Sequence, residues 1–321
     1  MIVKILPLLI GFVLDLLIGD PHEIPHPVVW IGRLISFLEN NLRRIFPKSV
    51  SGERAAGAVL WIITVSLSTV IPALILFLTA KVSLIFRIAV EGIMCWQILA
   101  IRDLRDESMK VYQNLIRKDL PASRKAVSMI VGRDTDRLDE KGVTRAAVET
   151  VAENTADGIA APLLFLAIGG APAGFFYKAV NTMDSMLGYT DPPYTNFGMI
   201  PAKADDICNY IPARFAAVIL LFTGFLMKMD AANGVRIFLR DRYKHASPNS
   251  AQTESACAGL LRIQLAGDAY YHGILHKKPF IGDPLREIET EDIPRTCHLM
   301  YAASFLMLMI SCLLRLLLTG F

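Results

Sequence analysis

Long apolar runs alternate with polar segments along the 321-residue chain. The clearest run covers residues 55–80, which carry no charged side chain. A helix needs roughly 20 apolar residues to cross a bilayer core of about 30 Å, so this run predicts a membrane-spanning helix. The runs at 82–101 and 299–314 predict helices of the same kind. The apolar segment at 1–20 lacks a small-residue cleavage site, so we expect a structural first helix there and not a removed signal peptide.

Two further runs are broken or short. Residues 159–177 have the length of a span but contain two glycines and two prolines. This pattern predicts broken or re-entrant half-helices in the membrane, where surrounding protein tolerates irregular backbone. Residues 215–227 provide only 13 uncharged positions, which is marginal for a full crossing.

The run at 82–101 carries two opposite charges. Arg87 and Glu91 lie four positions apart, on one helical face. Charges at that depth must pair or face protein, so we expect Arg87 and Glu91 to pair with each other. Their role would then be structural.

The polar segments between these runs predict additional helical structure. Residues 102–157 contain 11 Lys or Arg and 11 acidic residues with helical spacing, which indicates a folded helical excursion. Basic residues are frequent in the first two polar segments, which places these segments in the cytoplasm. No internal repeat is visible, so we expect an all-α, multispanning integral membrane protein with a single helical domain over residues 1–321. Its polar segments lie at 20–54, 102–157, 184–212 and 228–298.

Composition narrows the class of protein. Hydrophobic residues make up 53% of the chain and charged residues 20%, with a mean hydropathy of +0.43, a balance too apolar for an ordinary soluble protein. The formal net charge of +3 provides no basic stripe, so we expect no nucleic acid partner. The five cysteines form no C-x-x-C pair, so we expect mostly buried side chains without a zinc or disulfide role.

The first polar cluster follows the first helix, in the segment GDPHEIPHPVVWIGRLI. Asp15, Asp20, His22 and His26 could bind a metal ion or a polar ligand there. Alternatively, the three prolines fix an exit turn and the histidines satisfy local backbone groups. Spacing alone favours the second interpretation.

The second cluster is VETVAENTADG at 148–158, in which Glu149, Glu153 and Asp157 recur at every fourth position and so share one helical face. Neighbouring carboxylates repel one another, so an acidic face beside apolar sequence suggests a cation between them. Mg²⁺ prefers such oxygen ligands and commonly brings ATP phosphates with it. The alternative is an exposed acidic stripe paired with Arg145 and other basic residues.

Two later segments combine cations with carboxylates and amides. YKAVNTMDSMLGY places Lys178, Asn181 and Ser185 along one helical face, with Asp184 close to it. A lysine beside a membrane can simply snorkel, but the polar residues on the same side favour a phosphate or carboxamide site. AKADDICNYIPAR contains two neighbouring carboxylates and two cations, which fit magnesium and phosphate better than a plain helix cap. Its polar residues are Lys203, Asp205, Asp206, Asn209 and Arg214.

The last cluster is HASPNSAQTESACAGLL at 245–261, a Pro-Asn turn followed by an apolar helix whose first turn carries Glu254. Ser247 or Ser250 would cap this helix, and the backbone amides there also suit an anion. The chain contains no G-x-x-x-x-G-K-[ST] and no G-x-G-x-x-G, which excludes a conventional P-loop or Rossmann site.

Taken in order, these stretches resemble the cobinamide-phosphate synthase family of cobalamin biosynthesis. The resemblance continues to KPFIGDP at 278–284 and covers about the whole chain. Each motif is weak by itself, whereas the ordered set is specific. The sequence departs from the family pattern at Ala251, Cys257 and Ala266, where glycine, methionine and glycine are expected.

The resemblance implies a membrane-bound ligase that joins adenosylcobyric acid, through a corrin propionate, to 1-amino-2-propanol or its O-phosphate. ATP and Mg²⁺ are the implied cofactors, because a carboxylate must be activated as an acyl phosphate or an equivalent before an amine attacks it. The product would be adenosylcobinamide or its phosphate. The expected partners are the corrinoid and amino-alcohol substrates, the lipid bilayer and other late enzymes of the pathway. The expected location is the cell membrane, with the active site facing the cytoplasm.

We assign hypothetical roles to the polar clusters on this basis. The predicted metal ligands are Glu149, Glu153, Asp157, Asp205 and Asp206. The predicted catalytic set is Lys178, Asp184 and His22, with Asp184 or His22 as the base for the incoming amine. Lys178, Lys203 and Arg214 would bind phosphates, while Asn154, Asn181, Asp184 and Asn249 would orient the substrates. Asn209 and Glu254 complete the predicted substrate-binding and phosphate-binding set.

Two other classes of protein remain open. A small-molecule transporter would also place charges beside broken helices, but no repeated halves are visible. An AmpE-like membrane sensor, remotely similar to this family, need not keep the Mg²⁺ and phosphate residues, and this chain has the full set.

Overall fold

The chain folds almost entirely as helix. The computed structural model describes residues 2–21, 26–189, 191–271 and 273–320. In these ranges twelve α-helices, one π-helix and four short strands form. The α-helices are α1 (Ile2–Ile18), α2 (Pro27–Ile45), α3 (Val50–Val82), α4 (Leu84–Trp96), α5 (Ile101–Ile116), α6 (Leu120–Ser128), α7 (Glu140–Asn154), α8 (Ala161–Leu187), α9 (Met199–Leu226), α10 (Ala231–Asp241), α11 (Ser250–Leu261) and α12 (Asp292–Thr319). The π-helix covers Thr155–Ala160, and the strands are β1 (Leu265–Ala266), β2 (Ala269–Tyr271), β3 (Ile274–His276) and β4 (Phe280–Ile281).

Five helical stretches in the described part of the chain are long and apolar enough to cross a membrane. They are Val50–Val82, Leu84–Ile116, Glu140–Leu187, Met199–Leu226 and Asp292–Thr319. The strands form only two antiparallel pairs, β1 with β4 and β2 with β3, and each strand has two or three residues. The predicted all-α, multispanning membrane class is therefore confirmed.

Short polar side chains start several of these helices. The Ser49 hydroxyl accepts a hydrogen bond from the Gly52 N–H at the start of α3, at 3.1 Å. The Asp139 carboxylate accepts one from the Gly142 N–H at the start of α7, at 2.7 Å. Each bond satisfies a backbone donor that has no partner in the first helical turn.

The contacts within the chain define two compact units. Unit 1 consists of Met1–Ala100, Ala161–Asn209 and Leu308–Phe321. Its core includes Ile35 of α2, Leu60 of α3 and Met183 of α8, which are fully buried. Helix α1 packs against α4, and α3 packs against α2, α4 and α8.

Unit 2 consists of Ile101–Ala160 and Tyr210–Met307. Helices α5, α6 and α7 pack together there, which confirms the helical excursion predicted at 102–157. Helix α11 packs against α7 and α10, and every residue of α11 is buried. The core includes Val111 of α5 and Val148 of α7, both fully buried.

Helix α8 is broken at Gly170, where the backbone turns to φ 67° and ψ −160°. The break predicted within 159–177 is thus confirmed. Arg315 of α12 donates to the Leu166 carbonyl before the break, at 3.0 Å, and to the Lys4 carbonyl of α1, at 2.7 Å. The bond to Leu166 gives a partner to a backbone carbonyl close to the point where the helical hydrogen bonds of α8 are interrupted.

The predicted pairing of Arg87 with Glu91 is wrong. Glu91 is buried and lies 3.5 Å from the Arg315 guanidinium, whereas Arg87 is exposed. Spacing along one helix placed the two charges near each other, but Arg315 comes from a different helix and also binds backbone carbonyls. A buried carboxylate gains most from the cation that is itself held in place.

Helix α9 also differs from its prediction. The uncharged stretch at 215–227 suggested a marginal crossing, yet the helix begins at Met199 and has 28 residues. The polar residues at 202–214 are helical and lengthen it, which local apolar length did not indicate.

Candidate active site

A polar cavity in unit 2 gathers charged side chains from α7, α11 and the loops around them. We call it the unit 2 cavity, and its volume is about 140 Å³. Three carboxylates and three basic side chains line it. These six residues are Arg133, Glu149, Glu153, His245, Glu254 and Lys278. Glu149 and Glu153 lie one turn apart on α7, as their spacing predicted.

Glu149 fixes one wall of the unit 2 cavity. The side chain is 7% exposed and forms an ion pair with Arg133. Its other oxygen accepts the Ala266 N–H at 2.6 Å. Ala266 has a left-handed backbone, with φ 59°, a conformation that glycine adopts more readily than alanine. Both oxygens of Glu149 are therefore engaged, and the exposed-stripe interpretation does not hold for this residue.

Glu254 extends from α11 into the same cavity. It is 5% exposed, and its Oε2 atom has no hydrogen-bond partner among the described residues. Burial, and then the nearby charges of Glu153 and Glu149, raise the pKa of Glu254 well above its ordinary value. A buried carboxyl oxygen without a partner is costly, which is typical of a group that meets a ligand.

The remaining basic groups approach from two loops. Burial lowers the pKa of His245, against the opposing charge of Glu153, so the imidazole is neutral at neutral pH. Its Nδ1 accepts the Ser247 N–H at 3.2 Å. Lys278 donates to the Tyr271 hydroxyl at 2.7 Å and lies 4.7 Å from the centre of that ring.

Unit 1 contains a separate polar cluster on α8 and α9, centred on Asp205. Asp205 is 8% exposed and accepts hydrogen bonds from the amides of Asn209, at 2.9 Å, and Asn181, at 3.4 Å. The Tyr177 hydroxyl in turn donates to the Asn209 carbonyl oxygen at 2.8 Å. Three of the predicted site residues thus meet in one buried network.

Lys178 lies one turn before Thr182 on α8, at the edge of this cluster. Its ammonium contacts the Ile98 carbonyl at 3.4 Å. Burial raises the pKa of Asp20, and the charge of Lys178 opposes that shift. The His26 Nε2 atom lies 3.7 Å from Asp20, and its Nδ1 accepts the Val28 N–H at the start of α2. The polar residues after the first helix therefore serve both local backbone and a charge pair.

The structure places the other predicted residues as follows. Arg214 donates to the Asn249 side chain at 3.2 Å within unit 2, so these two meet. Asn154 lines the unit 2 cavity, whereas Asp157 lies in the π-helix and is not among the lining residues. Asp184 and Asp206 are half-buried on α8 and α9, and Lys203 is exposed. His22 lies outside the described residues.

The π-helix changes the predicted position of Asp157, which was expected to share one α-helical face with Glu149 and Glu153. The regular spacing that joined Glu149 and Glu153 ends with α7 at Asn154, before Asp157 is reached. Segments of π-helix are rare and occur frequently at functional sites. In the described part of the chain, no three His, Cys, Asp or Glu side chains form a ready metal cage. The metal assignments stay predictions.

The cap of α11 differs from its prediction. Asn249, and neither Ser247 nor Ser250, occupies the position before the helix, and its side chain makes no capping bond. The Ser247 hydroxyl instead accepts the Asn249 N–H at 3.3 Å. The polar turn thus orders its own backbone before the helix begins.

Sequence reasoning missed four residues of the unit 2 cavity. His245 and Lys278 lie inside polar segments named above but received no role, and Tyr271, the last residue of β2, belongs to none of those segments. Arg133 had no sequence signal beyond its position in the basic excursion. For Arg133 and Lys278, the only clue was that their charge is opposite to that of the predicted acidic face.

Fold and cavity together define a multispanning helical membrane protein with a small cavity of mixed acidic and basic groups. The family model described as CobD/Cbib protein matches residues 8–300. The chain belongs to the CobD/CbiB family.

Several curated relatives align over almost the full length of the chain. The cobalamin biosynthesis protein CobD of Clostridium perfringens is 43% identical over 308 residues, which cover 96% of this chain and 97% of the relative. The CobD protein of Pelobacter propionicus is 45% identical over 304 residues, with 95% and 93% covered. The cobalamin biosynthesis protein CbiB of Salmonella typhimurium is 45% identical over 299 residues, with 93% of each covered. No solved structure matches the chain.

Proposed function

We propose that this protein acts in cobalamin biosynthesis as an ATP-dependent amide synthase. It joins a propionate carboxyl of adenosylcobyric acid to the amine of 1-amino-2-propanol or its O-phosphate. The names of the aligned relatives support the pathway. The observation that carries the chemistry is the unit 2 cavity, in which one oxygen of the buried Glu254 has no hydrogen-bond partner within the described part of the chain.

Amide formation suits a cavity that holds both carboxylates and cations. The amine arrives as an ammonium ion and must lose protons, while negative charge accumulates on the activated carboxyl group. Carboxylates at Glu153 and Glu254 are available to the amine, and Arg133 and Lys278 offset the negative charge. Such fixed charges lower the barrier because they are in place before the reaction begins.

The polar cluster of unit 1 fits Mg²⁺ and phosphate. Mg²⁺ commonly binds one or two carboxylates together with substrate phosphates, so a cage of three protein ligands is not needed. Asp205 and Asp206 would hold the ion, and Lys178 and Lys203 would bind phosphate oxygens. When bound there, ATP would supply the activation that a carboxylate needs before an amine can attack it.

The protein is a multi-pass membrane protein, and we place it in the cell membrane with its reaction centre toward the cytoplasm. ATP and the corrinoid acid are then accessible from the same side. The corrinoid, the amino alcohol, the bilayer and other late enzymes of the pathway are its partners.

The test uses the purified full-length protein in detergent. It is incubated with ATP, Mg²⁺, adenosylcobyric acid and the amine, and the corrinoid mass is measured. The expected product has the summed mass of acid and amine less one water, and it is lost when ATP or Mg²⁺ is omitted. A folded protein that binds corrinoid without forming product would overturn the proposal and favour a sensor or a transporter.

A further inference from the structure

Two charged side chains of the unit 2 cavity form an ion pair with each other, and three others do not. Glu149 and Arg133 form an ion pair with each other. No ion pair to another described residue engages Glu153, Glu254 or Lys278. The cavity thus presents two carboxylates and one ammonium group that form no close ion pair with another described residue.

The size of the cavity restricts what can occupy it. Its volume is about 140 Å³. Pockets for larger ligands usually measure about 300–1,000 Å³. The cavity therefore suits a small amino alcohol better than a nucleotide or a corrin ring.

We infer that Glu254 and Glu153 form the subsite for the ammonium group of the amine substrate, with Lys278 facing the oxygen-bearing end of that molecule. The identity of the amine rests on the proposed function. An ammonium ion donates several hydrogen bonds, and the buried Oε2 of Glu254 is an acceptor that no described residue bonds. Tyr271 holds the Lys278 ammonium in place by accepting one of its hydrogen bonds.

The surroundings of Glu254 support a role in binding over a role in folding. Glu254 is 5% exposed, and no hydrogen bond from a described residue reaches its Oε2 atom. A carboxylate kept for stability would have a cation or several donors beside it. An ammonium ion brought by a ligand compensates the charge instead.

The first experiment compares Glu254→Gln and Glu153→Gln with wild-type full-length protein. Losing a charged hydrogen bond should raise KM for the amine about 10- to 100-fold, with KM for the corrinoid and ATP nearly unchanged. The melting temperature of Glu254→Gln should equal or exceed that of the wild type, because the change removes no hydrogen bond to Oε2 from a described residue. Glu287→Gln is the matched control, since Glu287 is exposed and pairs with Lys141 at the surface.

A second experiment tests Lys278 with two amines. If the anionic form binds, Lys278→Met should raise KM for 1-amino-2-propanol phosphate more than KM for 1-amino-2-propanol. If the free alcohol binds by its ammonium end, both KM values should change little. A larger loss for the phosphate supports the placement of Lys278, whereas a small effect on both amines would overturn that placement. An unchanged amine KM in Glu254→Gln, or an equal loss for all substrates with a lower melting temperature, would overturn the ammonium subsite.

Binding without catalysis separates this inference from the proposed function. The amine alone, without ATP or corrinoid, should raise the melting temperature of the wild type and of Glu287→Gln, but not of Glu254→Gln. Amine stabilisation without any amide product would reject the proposed function and keep the subsite. Product formation with equal amine stabilisation of wild type and Glu254→Gln would reject the subsite and keep the function.

Discussion

Gly170→Ala should strongly destabilise unit 1, because the break in α8 has no room for a side chain. The backbone there has φ 67° and ψ −160°, a region that is essentially restricted to glycine and costs other residues about 1–3 kcal/mol. An added Cβ atom would also lie 2.4 Å from the Glu91 carboxylate and 3.4 Å from the Arg315 guanidinium. Glu91 would have to move away from the Arg315 guanidinium.

The two effects together give the expected magnitude. Breaking a buried ion pair typically costs about 3–5 kcal/mol, and Glu91 is 5% exposed. Because the costs overlap when the carboxylate shifts, we expect a total near 3 kcal/mol. This corresponds to a melting temperature lower by roughly 6–12 °C.

The assay is a thermal melt of the full-length protein in detergent. Gly32→Ala is the control, because the added Cβ on α2 would meet only the Met186 sulfur at an ordinary 3.6 Å. Alanine in a helix interior is favoured over glycine by about 0.5–1 kcal/mol, so this control should melt at or above the wild type. Adding Glu91→Ala to Gly170→Ala separates backbone strain from the clash. A Gly170→Ala protein that melts within about 2 °C of the wild type, by the same scale, would refute the reasoning.

Four further predictions address other parts of the molecule. Ala266→Gly should raise stability by about 1 kcal/mol in a thermal melt, because Ala266 occupies a left-handed conformation; an unchanged melt contradicts this. Although burial opposes the shift, hydrogen bonds from Arg240 and its neighbours lower the pKa of Asp241 below 3.8, so this carboxylate stabilises the fold above that pH and less as the pH falls. Asp241→Asn should therefore lower the melting temperature near neutral pH and lessen its fall under acid, and parallel pH curves for both proteins would count against it. Asp205→Asn should reduce amide formation by orders of magnitude across a Mg²⁺ titration while the fold persists, since a hard cation needs the negative charge, and near-normal turnover would remove Asp205 from the site. Lys125→Cys should react with an impermeant thiol reagent only after cell lysis, because the exposed helix α6 belongs to the basic segment predicted to be cytoplasmic, and labelling of intact cells would reverse that orientation.

The class of fold followed from local sequence because membrane-spanning helices satisfy their backbone within a single segment. The uncharged run at 55–80 lies inside α3, and the paired glycines in 159–177 mark the break of α8. The length of an uncharged run underestimates a helix that continues through polar residues, as in α9. Whether each apolar helix crosses the bilayer depends on surroundings that local periodicity does not describe.

The candidate site was predictable only where its residues share one helix. Glu149 and Glu153 line one cavity because four residues make about one helical turn. Arg133, His245 and Lys278 reach that cavity from distant parts of the chain, and no local pattern records such a meeting. The same limit explains Glu91, whose partner Arg315 is on another helix.

The bonds of Arg315 also impose an order on how unit 1 is made. At about 5–20 residues per second, Gly170 is synthesised roughly 7–30 s before Arg315, and Glu91 roughly 11–45 s before it. During that interval the Glu91 carboxylate lacks its cation and the Leu166 carbonyl lacks the Arg315 donor. Arg315 then joins α12 to α8 and, through the Lys4 carbonyl, to α1, so an early and a late segment of the chain are locked in one step. A nascent chain arrested before residue 315 would hold an unfinished helix break, a form that membrane quality control can distinguish from the finished protein.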